Sequence, residues 1–213
     1  MASIPLLSAF YFGSVEHYRL LAQHRRVIID IGEHYVRQTY RTRTTIVGPN
    51  GKQDLTVQIA RRSGEKMPMR SVGLSYIETW PQQHVHAIRS AYGNTPWFIH
   101  YMDEIEAVVL KKYDRLVDLD LATMRLSMKW LGLMTEVEVS EKYVERDEFS
   151  VANGNAVLDL RITLHPKRSL PPSLKPPQPY PQIFADRHGF IPRMSVMDLV
   201  MNTGPEARRI VIA

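Results

Sequence analysis

The sequence predicts an α/β fold: a Rossmann-like sheet that starts β-α-β, with a β-hairpin insertion, a central helical segment and a proline-rich C-terminal strap. Three observations point there. Two apolar, strand-like runs at the N-terminus are separated by a helical stretch, which is how a parallel sheet begins. An Asn-Gly turn soon afterwards joins two further strand-like segments. Six prolines then fall between Pro171 and Pro181.

Residues 4–12 read as a buried strand, and Gly13 and Ser14 open a helix to about His24 with Ser14 as its N-cap. Val27 to Ile31 is a β-branched run bounded by charge and glycine, a second central strand beside the first. Strands near 39–47 and 54–60 flank Gly48-Pro49-Asn50-Gly51 as a hairpin. Three helices follow, over about 81–92, 95–113 and 119–131. The second opens at Thr95 with Pro96 in its first position, and Trp97, Phe98, Tyr101, Met102, Ile105, Val108 and Val109 form one apolar stripe. The third stops at Gly132, a C′ glycine.

Val137 and Val139 mark a short strand, and residues 156–162 stay open between types. The prolines remove backbone donors, so residues 166–181 are expected to run extended across the surface. Tyr180, Phe184 and Phe190 are expected to dock this strap on the core. A last helix runs from near Ser195 to Asn202, with Ser195 and Asp198 at capping-box spacing, before a strand-like tail at Ile210 to Ile212. No repeat and no interdomain linker interrupts the chain, which reads as one domain over residues 1–213.

Composition sets the outer limits. With 213 residues, 44% hydrophobic and 23% charged, the chain has material for one sizeable core. There is no cysteine, which excludes disulfides, thiolate nucleophiles and cysteine zinc sites and fits a reducing, cytoplasmic compartment. The apolar N-terminus lacks a basic leader, and its uncharged run is too short to span a membrane. The net charge of +5 favours anionic partners, but no block of five like charges points to nucleic acid. Phosphate-loop, dinucleotide, nucleophile-elbow and H-E-x-x-H motifs are all missing, so neither cofactor nor metal is expected.

Three constellations carry chemical potential. If His34 to Arg43 is extended, Tyr35, Arg37, Thr39, Arg41 and Arg43 share one face. Three guanidiniums and a hydroxyl there suit a phosphate or carboxylate; the plainer reading is the solvated side of a hairpin. On the helix after Trp80, His84 lies with Ile88 and Ala91 on an apolar face, as a core histidine or as a general acid or base. His84 and His86 point in different directions and do not make a metal pair. Asp186 and His188 stand before Gly189 as either a catalytic pair or a shaped turn.

These pieces, in this order, resemble the WbqC-like family. The matching parts are His34 to Arg43; Trp80 with His84 and Ala91-Tyr92-Gly93; Pro96-Trp97-Phe98; Asp159-Leu160-Arg161; and Tyr180-Pro181-Gln182. The ending from Gly189 through Ser195 and Asp198 to Ala207 matches as well. Many members carry a His-Gln-Pro-Asn-like turn where this chain has Ala9-Phe10-Tyr11-Phe12-Gly13. The resemblance implies a bacterial protein of O-antigen or other surface-polysaccharide biosynthesis, and a transferase that moves an acyl or aminoacyl group, such as glycyl, to a sugar intermediate. Tyr35, Arg37, Arg41 and Arg43 would then hold a phosphorylated or nucleotide-linked small molecule. Trp80 and Gln182 would add to the substrate-binding wall, Asp159 and Arg161 would be either a structural pair or part of that wall, and His84 or His188 would take the proton from the attacking amine or hydroxyl. The three arginines are expected to face His84 and the Asp186–His188 turn across one pocket, and loss of Arg41 to weaken ligand binding while sparing the fold. Two other readings stand beside this one: a non-catalytic binder of a nucleotide-sugar or other anion, and a nucleic-acid binder using Tyr35 and Tyr40 for stacking. The oligomeric state is left open.

Overall fold

The computed structural model describes residues 3–60, 66–145, 156–170, 174 and 176–213. Ile4–Leu7 (β1) is buried along its whole length and pairs in parallel with Arg26–Asp30 (β2), Leu6 opposite Ile28 and Leu7 opposite Ile29. The helix Val15–Ala22 (α1) makes the crossover between them, as expected of β-branched strands buried on both faces. Two further parallel strands complete the sheet. Glu136–Ser140 (β5) pairs with the outer side of β2, and Val157–Asp159 (β6) with the free side of β1. The order is therefore β5-β2-β1-β6. The chain steps outward from β1 to β5 and then returns across the sheet to β6, so the direction of winding reverses between β1 and β6.

The first strand is shorter than its apolar run. After Leu7 the chain leaves the sheet while staying buried, with Phe12 at φ +40°. Its backbone is satisfied at long range, because a buried peptide must be paired somewhere. The Tyr11 N–H donates to the Tyr40 carbonyl (3.0 Å) and the Phe12 N–H to Thr123 Oγ1 (3.1 Å). The Phe12 carbonyl accepts from the hydroxyls of Thr44 (2.8 Å) and Ser195 (3.1 Å).

Arg43–Gly48 (β3) and Gly51–Thr56 (β4) form the hairpin, closed by Pro49-Asn50 with Gly48 opposite Gly51. The strand does not begin at residue 39. Residues 37–42 form turns instead, held by Thr39 Oγ1 to the Val36 carbonyl (2.9 Å) and by Gln38 at φ +56°. Tyr35, Arg37, Arg41 and Arg43 therefore do not share a strand face; the two-residue period is broken before it reaches Arg43.

Trp80–Tyr92 (α2), Phe98–Leu110 (α3) and Leu116–Trp130 (α4) are the three central helices. The second starts three residues later than its Thr95-Pro96 signal, because Thr95 Oγ1 caps the preceding turn by donating to the Tyr92 carbonyl (2.7 Å). Met102, Ile105 and Val109 are the buried line of its stripe. The third ends as its glycine requires: Gly132 has φ +57°, and the Leu133 N–H returns to the Met128 carbonyl at 3.0 Å.

Ala185–His188 (α5) is a single turn, followed by Val196–Thr203 (α6) and Ala207–Ile212 (α7). The Ser195 hydroxyl caps α6 by accepting from the Met197 N–H (3.3 Å), whereas Asp198 turns inward rather than back to the cap. The strand-like tail is corrected to helix. Ala207 and Val211, four apart, are buried by α7, which packs on α1; that packing overrides the β-branched preference of Ile210 to Ile212.

In the proline stretch, residues 171–173 and 175 lie outside the described residues. Residues 166–168 form a turn rather than extended chain, while residues 176–181 carry no regular structure. Tyr180 is buried, its ring edge-on to Phe190 at 5.2 Å, and Phe184 is only half-buried. Among the described residues, no helix is long and apolar enough to cross a membrane.

Candidate functional site

Where β1, β2 and β6 end, the chain collects charge. Asp30 closes β2. Its Oδ1 accepts from the N–H groups of Gly32 (2.9 Å) and Glu33 (3.0 Å), and its Oδ2 from Val144 N–H (3.1 Å) and Arg161 Nη1 (2.6 Å). Only a glycine fits at residue 32. An added Cβ would lie 2.2 Å from the Tyr143 nitrogen, and that close approach brings Val144 to Asp30 and the Tyr143 ring to 4.5 Å from the Arg161 guanidinium. Asp159 holds the other side of Arg161 through Nε (3.1 Å) and Nη2 (2.6 Å). Burial alone would lower the Arg161 pKa, but the hydrogen bond and charge of Asp159, followed by the hydrogen bond to Asp30, more than reverse it.

Arg41 extends the same network. It is 1% exposed, binds Glu33 through Nε (3.0 Å) and Nη2 (2.8 Å), and reaches Ser8 Oγ at 2.6 Å and the Arg161 carbonyl at 3.2 Å. Burial raises the Glu33 pKa despite Arg41, with Asp30 adding to the rise. The expected arginine pocket is corrected accordingly. Arg41 is an interior ion pair, Arg37 stands exposed in a turn, and only Arg43 is on the hairpin strand.

Arg43 faces a different opening. A cleft of about 440 Å³ lies between the hairpin and the segments around residues 167 and 193. Among the described residues, four cations line it, Arg43, Lys52, Lys167 and Arg193, against one carboxylate, Asp54, for a formal balance of +3. The register explains the hairpin's share: Thr45 is opposite Asp54 and Val47 opposite Lys52, so these side chains lie on the face that carries Arg43. Asp54 is committed to Arg43 (3.1 Å) and to the Thr45 hydroxyl (2.7 Å). Lys167 Nζ reaches Gln38 at 2.9 Å. Arg193, at φ +68°, donates Nη2 to the His165 carbonyl (2.6 Å) and Nη1 to the Arg168 carbonyl. Tyr40 forms part of the wall, and burial raises its hydroxyl pKa against the pull of Arg193.

The expected acid–base histidines lie elsewhere. His84 is 4% exposed, with Nδ1 3.1 Å from the Tyr11 hydroxyl and its ring edge-on to Trp80 at 5.1 Å. Burial pushes its pKa down to about 4, a bond to the Thr56 backbone only partly offsetting this. Trp80 is itself fixed by Nε1 to the Ser75 carbonyl at 2.8 Å. His188 is exposed at the end of α5 and donates Nε2 to the Pro49 carbonyl at the hairpin tip (3.1 Å). Gln182 bridges the Ile191 backbone and the Asp198 carboxylate (2.8 Å), and Tyr35 lies 3.5 Å from the Thr42 hydroxyl.

Sequence reasoning missed the acidic interior. Glu16, Asp120 and Asp198 are 2%, 0% and 0% exposed. Asp198 accepts from Tyr92 (2.8 Å), Tyr180 (2.8 Å) and Gln182, whereas among the described residues the Asp120 carboxyl has no hydrogen-bond partner and the Glu16 carboxyl is met only loosely, by Ser14 and the nearby backbone. Each sits in a helical stretch where a lone carboxylate ordinarily faces water, so residue type offered no signal.

A family model described as the WbqC-like protein family matches residues 11–173, a span that includes the hairpin, His84 and Arg161 but stops before the block from Tyr180 to Ala207. No curated protein and no solved structure matches the chain.

Proposed function

The chain belongs to the WbqC-like protein family, and on that premise we propose that its basic cleft binds a phosphorylated or nucleotide-linked sugar and that the protein transfers an acyl or aminoacyl group to it in surface-polysaccharide biosynthesis. The observation that carries the binding half is the excess of cations over Asp54 around one opening, with Arg43 and Arg193 held at fixed positions. A phosphate oxygen entering there would meet guanidinium and ammonium donors without displacing an interior ion pair. The transferase half rests on family context. The proton acceptor for the attacking amine or hydroxyl is not His84 in this reading, since a histidine pushed down to about 4 and buried against Tyr11 is a weak base near neutrality. His188, on the segment that touches the hairpin tip, is the exposed alternative. The Rossmann-like reading of the sheet draws support from its β5-β2-β1-β6 order, whose reversal falls beside β1.

Calorimetric titration with nucleotide-sugars, beside urea unfolding of two variants, tests the site. Arg43→Ala should weaken binding by about 1.5–3 kcal/mol with an unchanged unfolding midpoint. Arg41→Ala should do the reverse, lowering the midpoint by disrupting the Glu33 pair. Equal loss of binding in both would move the ligand from the cleft to the strand ends. Binding without any transfer from activated acyl or aminoacyl donors would favour the non-catalytic reading.

A further inference from the structure

Two buried groups beside the cleft are poorly satisfied among the described residues. Glu16, in the first turn of α1, makes no hydrogen bond of ordinary geometry and is met only loosely by the Ser14 hydroxyl and the Glu16 and Arg193 backbones, and the buried Nε of Arg193, a cleft-lining residue, has no acceptor. Backbone pairing makes them neighbours. The Val15 N–H donates to the Met194 carbonyl at 3.0 Å, and Ser14 and Ser195 form an antiparallel bridge, so residues 13–15 run against residues 194–196. A buried carboxyl is costlier ionised than neutral unless the donors and cations around it offset the burial. Burial accordingly raises the Glu16 pKa, against weaker opposition from its own backbone, Ser14 and Arg193.

We propose that Glu16 is a positioning residue of the cleft: when neutral it leaves the Arg193 charge to a bound anion, and when ionised it competes with that anion for Arg193. The inference rests on the anion-binding reading of the cleft. The groups that face Glu16 are the Ser14 hydroxyl on its own segment, Arg193 on the segment before α6, Tyr40 from the turn before β3 and Tyr180 from the proline stretch. His17 beside it is held neutral by burial, which pushes its pKa to about 3. His165, whose carbonyl holds Arg193, is another group near the cleft able to gain charge as pH falls, although burial and then Arg168 and Lys167 lower its pKa. Ionising Glu16 would set one negative charge beside Arg193, next to a lining whose described residues carry +3.

Sulfate is the probe, because its charge is constant between about pH 5 and about pH 8, a window above the ordinary carboxyl value, the direction in which Glu16 is shifted. Wild-type affinity for sulfate, measured by calorimetry at constant ionic strength, should fall roughly three- to tenfold across that window, the size of one unit charge near a solvated site. Glu16→Gln, neutral and isosteric, should hold the low-pH affinity throughout, and His165→Asn should keep the wild-type slope. In the wild type, sulfate should raise the Glu16 titration midpoint followed by carbon-13 spectroscopy, because the coupling is reciprocal. Equal slopes in wild type and Glu16→Gln, or a Glu16 titration indifferent to sulfate, would overturn the inference alone. A wild type that binds sulfate at no pH would overturn the anion reading of the cleft and this inference with it.

Discussion

The Arg161 guanidinium lies 2.6 Å from the Asp30 carboxylate, reaching across the end of β1, the strand that separates β6 from β2. In a parallel sheet whose winding reverses, the crevice at that place is the usual seat of a ligand. Here the chain fills it with its own charges: Asp30, Glu33 and Asp159 against Arg41 and Arg161. The ion pairs stitch the ends of three strands together, and an excess of cations over carboxylates stands at the hairpin cleft instead.

Removing one partner of that pair should therefore be severe. Arg161→Met leaves Asp30 buried at 0% exposure with a charge and no counterion, a loss of about 3–5 kcal/mol in urea unfolding. Asp30→Asn should move stability the same way. An unchanged midpoint for Arg161→Met would mean that the pair adds nothing in solution.

The acidic interior sets a direction for stability against pH. Asp120 is wholly buried and burial raises its pKa well above the ordinary carboxylate value, so the folded chain holds this proton more tightly than the unfolded chain. Its contribution is fully present below the unfolded value and is lost as pH rises through the raised one. His17 and His84 are shifted down, so stability also falls as pH drops below about 6.5 towards their folded values of about 3 and about 4. Asp120→Asn should therefore lose less stability than the wild type as pH rises from the ordinary carboxylate value, and should leave the loss due to the two histidines in place. Identical pH profiles for wild type and Asp120→Asn would refute the assignment.

Asp198 offers a third check, because it joins the proline stretch to the core. Tyr180 and Tyr92 each donate to it at 2.8 Å, which partly offsets the rise that burial imposes on its pKa. Tyr180→Phe and Tyr92→Phe should each cost about 1–3 kcal/mol, by leaving a buried carboxylate short of a donor. The double variant should depart from the sum, since both donors serve one acceptor. Hydrogen exchange should quicken around residues 180–191 in Tyr180→Phe. Protection equal to wild type would show that other contacts hold the segment.

Much of the fold was legible because its causes are local. The β-α-β start, the Asn-Gly hairpin, the stop at Gly132 and the Ser195 cap each depend on residues within a few positions of one another. The identity of the parallel neighbours was not local: β6 pairs with β1 across more than a hundred residues, and a three-residue strand carries too little pattern to announce itself. The candidate site was legible in part. Arg43 was recognised as a possible anion ligand, but the same alternation failed for Arg41, because the left-handed Gln38 turn swings that residue inward to Glu33. Lys52, Lys167 and Arg193 come from three separate stretches, and only the folded chain brings them around one opening. Glu16 and Asp120 lie further from reach of sequence reasoning. Helical periodicity specifies which residues share a face, whereas whether that face meets water or another element is decided by packing. The sequence alone determined the early architecture and the supply of cations; tertiary structure decided which charges are consumed as interior pairs and which remain for a ligand, because electrostatic pairing depends on distance in space and not along the chain.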